Sequence, residues 1–147
     1  MIHKVLLRSL LSLLAISSLL MGIWATLSPR SFFMSFPVPT MHWVASAGPY
    51  EKHLVSDFGS LNLAMATLAI FAIYYLEVTL TRATAAGFLV YGVLHVLFHL
   101  ENRLPSSANQ LLQVTALLVP VFVAISILML SRSRSSPTMP RIFDSIE

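Results

Sequence analysis

Cysteine is absent from the 147 residues, which removes disulfides, thiolate metal sites, iron–sulfur clusters and dithiol redox chemistry together. Charge is scarce as well. Asp, Glu, Lys and Arg make up 10% of the chain against 56% hydrophobic residues, and the mean hydropathy is +0.80. Soluble domains carry about 25% charged residues, so this composition is that of an integral membrane protein. A span needs about 20 apolar residues, and the length therefore accommodates four helices with short connections and no separate soluble catalytic domain. Histidine, carboxylate and amide are the ligand types that remain.

What is present is a series of four apolar runs, over residues 9–27, 59–76, 83–100 and 111–130, each about as long as a hydrocarbon core at helical rise. They predict an all-α fold, a four-transmembrane-helix bundle forming one integral membrane domain over 1–147, with a tail over 131–147. The second and third runs are short and carry Asn62, His95 and His99, so neighbouring helices rather than lipid are expected around them. A signal peptide is the second reading of the first run, because Lys4 and Arg8 precede Leu10 to Met21. Ile23 stands where a cut after Ala25 would want a small residue, and retention as a helix is the first reading.

Lys4, Arg8, Arg82, Arg132, Arg134 and Arg141 flank the spans on the side of the termini, against Arg30, Lys52 and Arg103 on the other. The positive-inside rule then places both termini in the cytoplasm. The same threading sets Trp24 and Trp43 at the outer interface and Tyr74 and Tyr75 at the inner one. The formal charge of +3 calls for no nucleic-acid partner, because the cations sit where topology requires them. The bilayer is the expected partner, and the tail from Ser131 to Arg134 is expected to meet anionic lipid.

Residues 28–52 form a connection too long for a minimal turn and too aromatic for disorder, with Phe32, Phe33, Phe36, Trp43 and Tyr50 stiffened by Pro29, Pro37, Pro39 and Pro49. This long aromatic-rich extracytoplasmic loop is expected to fold as a cap, or else to lie in the headgroups and seal the bundle.

The polar residues gather on that same side, where His42, His53, His95 and His99 all fall, and only His3 lies opposite. His53 and Asp57 are spaced i, i+4 at the outer end of the second span, with Glu51 just upstream. His95 and His99 repeat the spacing on the third span, continuing inward through Tyr91 and Gly87. Gln110 and Gln113 open the fourth at the same level. Ionisable residues inside a span mark a functional site by default, and two imidazoles one turn apart can share a metal ion. The expected site is therefore His53, Asp57, His95 and His99 around a transition-metal ion, or His95 and His99 as the ligands of a haem. Singly, each histidine is better explained by a structural hydrogen bond; the coincidence of the four carries the expectation. Asn62, about 140° from Asp57 on a helical wheel, is not expected to join them. Met34 and Met41 could give thioethers to Cu(I), but packing suits them better.

Pro120 should bend the fourth helix. Gly87, Gly92, Ala64, Ala66, Ala69 and Ala72 offer small surfaces for close helix approach.

The runs Ser28-Pro29-Arg30-Ser31-Phe32-Phe33 with Phe36-Pro37 and Trp43, then Gly48 to Gly59, and later Gly92 to His99, resemble a pattern in small uncharacterised bacterial four-helix membrane proteins. The architecture is more loosely similar to DoxX-like membrane proteins. The resemblance covers about the first two thirds of the chain and implies a fold and a place in the bacterial inner membrane, but no activity. Two further function classes stand beside cofactor binding. An isomerase of a lipid-like substrate, with His95 and Asp57 shuttling a proton, predicts a buried apolar cavity below the histidines; the few polar residues argue against an enzyme. An accessory subunit of a larger membrane complex would satisfy its histidines internally and copurify with partner subunits.

Overall fold

The computed structural model describes residues 2–131, and over these it is all-helical. The helices are α1 (Ile2–Leu27), α2 (Pro29–Ser35), α3 (Lys52–Tyr75), α4 (Val78–Glu101) and α5 (Ser107–Leu130), with a 3-10 turn at Ala45–Ala47 between α2 and α3. Helices α1, α3, α4 and α5 are long and apolar enough to cross a membrane. Each begins several residues before the apolar run that announced it, because a helix continues into the polar flank until a capping residue stops it. Arg132, Arg134 and Arg141, with the rest of the tail, lie outside the described residues.

The residues that end the helices explain the connections. Leu76 takes a left-handed conformation at φ 49° and closes α3 with its amide on the Ala72 carbonyl. Glu77 then caps α4, its carboxylate accepting from the backbone N–H groups of Thr79 at 2.9 Å and Leu80 at 2.6 Å. Two residues thus reverse the chain. At the other end Gln110 accepts from Leu104 N–H at 2.7 Å and donates to the His99 carbonyl at 2.8 Å, stitching α5 to the last turn of α4. Gln110 is a structural tie, as its position at a helix start suggested.

Helices α1 and α3 form one close pair and α4 and α5 another. Small residues set the distances. A Cβ on Gly59 would stand 2.8 Å from the Thr26 amide nitrogen and 3.1 Å from the Ala25 carbonyl carbon, and one on Gly22 would stand 3.0 Å from the Gly59 carbonyl oxygen. On the second pair a Cβ on Gly92 would press on Val121 at 2.8 Å. Ala66, Ala69 and Ala72 are fully buried, whereas Ala64 and Gly87 face outward. Gly22 and Gly59, hidden among apolar neighbours in the sequence, do more to bring helices together than Gly87 does.

The end at which α1 starts and α5 stops is filled by Leu7, Leu11, Ala69, Ala72 and Ile127, with Leu14, Phe88 and Val123 of the same cluster bordering the space above. Hydrogen bonds from His3 Nε2 to the Leu130 carbonyl (2.8 Å) and from Arg8 Nε to the Ile73 carbonyl (3.3 Å) close that end, each side chain reaching a last-turn carbonyl. Tyr74 and Tyr75 are exposed there.

At the opposite end the segment between α1 and α3 is a folded structure. Pro29 stands at the first position of α2, where a missing N–H costs nothing. The helix presents Phe32 and Phe33 to Ala25 of α1 and Val55 of α3. Phe32 packs on Phe36 at 4.8 Å and on Phe58 of α3 at 5.5 Å, with Trp24 edge-on at 5.5 Å. Phe36 then meets Trp43.

Candidate functional site

Beneath this aromatic cap the four long helices border a partly open cavity of about 700 Å³, within the roughly 300–1,000 Å³ of small-molecule pockets. Its walls are mainly apolar and aromatic: Phe32, Phe36 and Trp43 from the cap, Phe58 and Met65 from α3, Phe88 from α4. Pro120 and Ala116 line it from α5. Proline has no N–H, so the Ala116 carbonyl has lost its i+4 donor on this stretch of wall.

Polar groups form a ladder along the face of α4 that looks into the cavity. Tyr91, His95 and His99 recur at four-residue intervals, one above another. The Tyr91 and His95 rings are stacked at 5.3 Å and 15°, and the His95 and His99 rings meet edge to face at 4.8 Å. Phe58 of α3 lies on His95 at 6.5 Å. Imidazoles one turn apart are thereby held by packing as much as by spacing.

Two amides border the ladder. Asn62 of α3, 4% exposed, donates to the Phe58 carbonyl at 2.9 Å and lies beside the Tyr91 side chain. Gln113 of α5, 2% exposed, stands against the His99 ring, yet its Oε1 has no hydrogen bond of good geometry. Ser17 and Ser18 complete the polar lining from α1.

The four-residue cluster expected from the sequence is divided. His53 and Asp57 do pair, Nδ1 to Oδ2 at 2.8 Å, but their side chains are 79% and 64% exposed and neither lines the cavity. The reason is azimuth. Helix α3 buries Val55, Gly59 and Asn62, and at about 100° per residue Asp57 points some 140° from Asn62 and 160° from Val55. The wheel angle that set Asn62 apart from Asp57 holds, but Asn62 is the one turned inward. His42 is also elsewhere, its Nδ1 on the Met34 carbonyl in the cap.

Among the described residues no three His, Asp or Glu side chains converge as ligands for a metal ion. His95 and His99 offer two nitrogens, fewer than the three or four protein ligands of ordinary zinc sites. Nor can they serve as opposed axial ligands of one haem. Both project from the same side of one helix, and a porphyrin plane between them would have to cut through that helix. Acid–base catalysis by His95 with Asp57 fails on the same azimuth, since the carboxylate faces away.

Asn62, Ser17 and Ser18 are the cavity residues that sequence reasoning missed. Asn62 carried a usable signal, the only amide within a run that otherwise packs alanines. The serines carried less, sitting in a leucine-rich run where a hydroxyl can always bond its own helix, as Ser17 does to the Leu14 carbonyl.

No family model matches this chain, nor does any curated protein or solved structure.

Proposed function

We propose that this is a multi-pass membrane protein that binds an apolar, membrane-derived molecule inside its bundle, under the aromatic cap and against the Tyr91–His95–His99 ladder. One observation carries the reading: a cavity of ligand size whose walls are mainly apolar, with a few polar groups, most of them from α3, α4 and α5, turned into it. Such a combination, a large apolar pocket with a few convergent polar groups, is the physical signature of a small-molecule site. Lys4, Arg8 and Arg82 at the packed end support cytoplasmic termini with the cap on the outer face. The resemblance to small bacterial four-helix proteins supports the inner membrane as its place. Binding is favoured over the isomerase reading because Asp57, the carboxylate which that reading pairs with His95, is exposed and does not line the cavity.

Trp24 and Trp43 are the two tryptophans, and Trp43 alone lines the cavity. In the Trp24→Phe protein, Trp43 is therefore a cavity reporter. With the protein in lipid nanodiscs, bromoundecane is expected to quench its emission saturably, and Ala116→Phe, which fills the cavity, should abolish the saturable part. Quenching that rises linearly and equally in both proteins contradicts a bound state.

A further inference from the structure

Resting on that reading of the cavity, we propose that its occupant is an uncharged single-chain amphiphile whose head group both donates and accepts hydrogen bonds, a long-chain alcohol or primary amide in chemical class. The head sits in the belt of Asn62, Tyr91, His95, His99 and Gln113, and the chain lies along the phenylalanine walls.

Charge is the first argument. Among the described residues no lysine or arginine lines the cavity, and the single acidic residue on its wall, Glu51, stands at the rim as the cap of α3, its Oε1 accepting from the His53 amide at 3.2 Å. A phosphate or carboxylate head would enter with no cation to meet it, and a charge left unpaired at membrane depth costs several kcal/mol. A quaternary ammonium fares no better. The Phe32, Phe36 and Trp43 rings are engaged with one another rather than set as a cage for it.

The second argument is the chemistry of the belt. It holds amides, imidazoles and a phenol, each a donor, an acceptor or both. Gln113 is nearly inaccessible and stands against the His99 ring, its Oε1 being one of five buried side-chain polar atoms among the described residues without a well-formed hydrogen bond. The freed Ala116 carbonyl stands one turn further along the same face. A head that both donates and accepts, a hydroxyl or primary amide, matches such a mixed belt.

Size is the third. At about 700 Å³ the cavity is of the order that holds one small ligand, room for a single chain beside the head.

The test uses the Trp24→Phe protein in zwitterionic nanodiscs at mildly alkaline pH. The probes share a bromine-terminated undecyl chain and differ in the head: hydroxyl, carboxylate, phosphate, trimethylammonium, or none. The alcohol is expected to quench Trp43 at about tenfold lower concentration than the others, the equivalent of about 1.4 kcal/mol. Gln113→Leu should remove its advantage over the headless chain. A charged probe binding tightest, or an alcohol no better than the headless chain, overturns the head-group assignment and leaves the cavity reading standing. If no probe quenches saturably, the cavity reading falls and this assignment with it.

Discussion

The same four helices are packed solid at one end and hollow at the other. Toward the end holding the termini, Leu11 and Ile127 are wholly inaccessible and Leu14 nearly so, and side-chain caps from His3 and Arg8 finish the helices. Toward the α2 end, the helices carry imidazole, amide and phenol groups, and a separate aromatic segment is laid over them. Without a hydrophobic force between helices in lipid, association depends on close packing and interhelical hydrogen bonds. The packed end meets that need. The hollow end forgoes contact between helices, which costs stability. A molecule placed there restores it.

The contrast breaks most completely at the α1–α3 seam, which both ends share. Gly59→Leu puts a side chain where the Thr26 and Ala25 backbones now stand, and neither can yield. The expected outcome is loss of the monodisperse detergent-solubilised species by size-exclusion chromatography, the largest effect of any single change here.

A matched pair of truncations sharpens the comparison. Leu11→Ala, in the packed end, should cost about 2–5 kcal/mol, as large-to-small changes do in filled cores. Leu117→Ala, which only enlarges a space already present, should cost well under about 1 kcal/mol, because its side chain lacks neighbours on one side. Reversible unfolding in mixed micelles measures both; equal costs would mean that the two ends are packed alike.

The smallest effect comes from the turn between α3 and α4. The Leu80 and Thr79 amides hold the Glu77 carboxyl below its ordinary value of 4.5. The folded protein thus releases that proton more readily than the unfolded chain, so the contribution is complete above the unfolded value and fades as pH falls through the lower folded one. Thermal scans over the acid range should show Glu77→Gln slightly less stable than wild type at neutral pH, and the two converging in acid.

The spans were legible because hydropathy reports them directly, and the stacked Tyr91, His95 and His99 because a four-residue period fixes a face. Depth was not: Asn62 of α3 lies beside Tyr91 and Gln113 of α5 beside His99, about two turns apart along α4. Nor was direction around the helix axis. His53 and Asp57 sit near the start of α3, where a charged pair is comfortable facing outward, and their chemistry drew the eye from the plainer Asn62. Residues 28–51 read as aromatic and stiff, but that Pro29 to Ser35 makes a helix whose phenylalanines roof a cavity depends on tertiary contacts with α1 and α3. The cavity itself is an absence of contact between helices, which no residue pattern within a single span encodes.

Native mass spectrometry of the wild-type protein, released gently from the membrane in which it was made, tests the central claim most directly. The account predicts one apolar adduct per chain, present in wild type and missing from the folded Ala116→Phe variant. A bare chain in wild type, or the same adducts on both proteins, would contradict it.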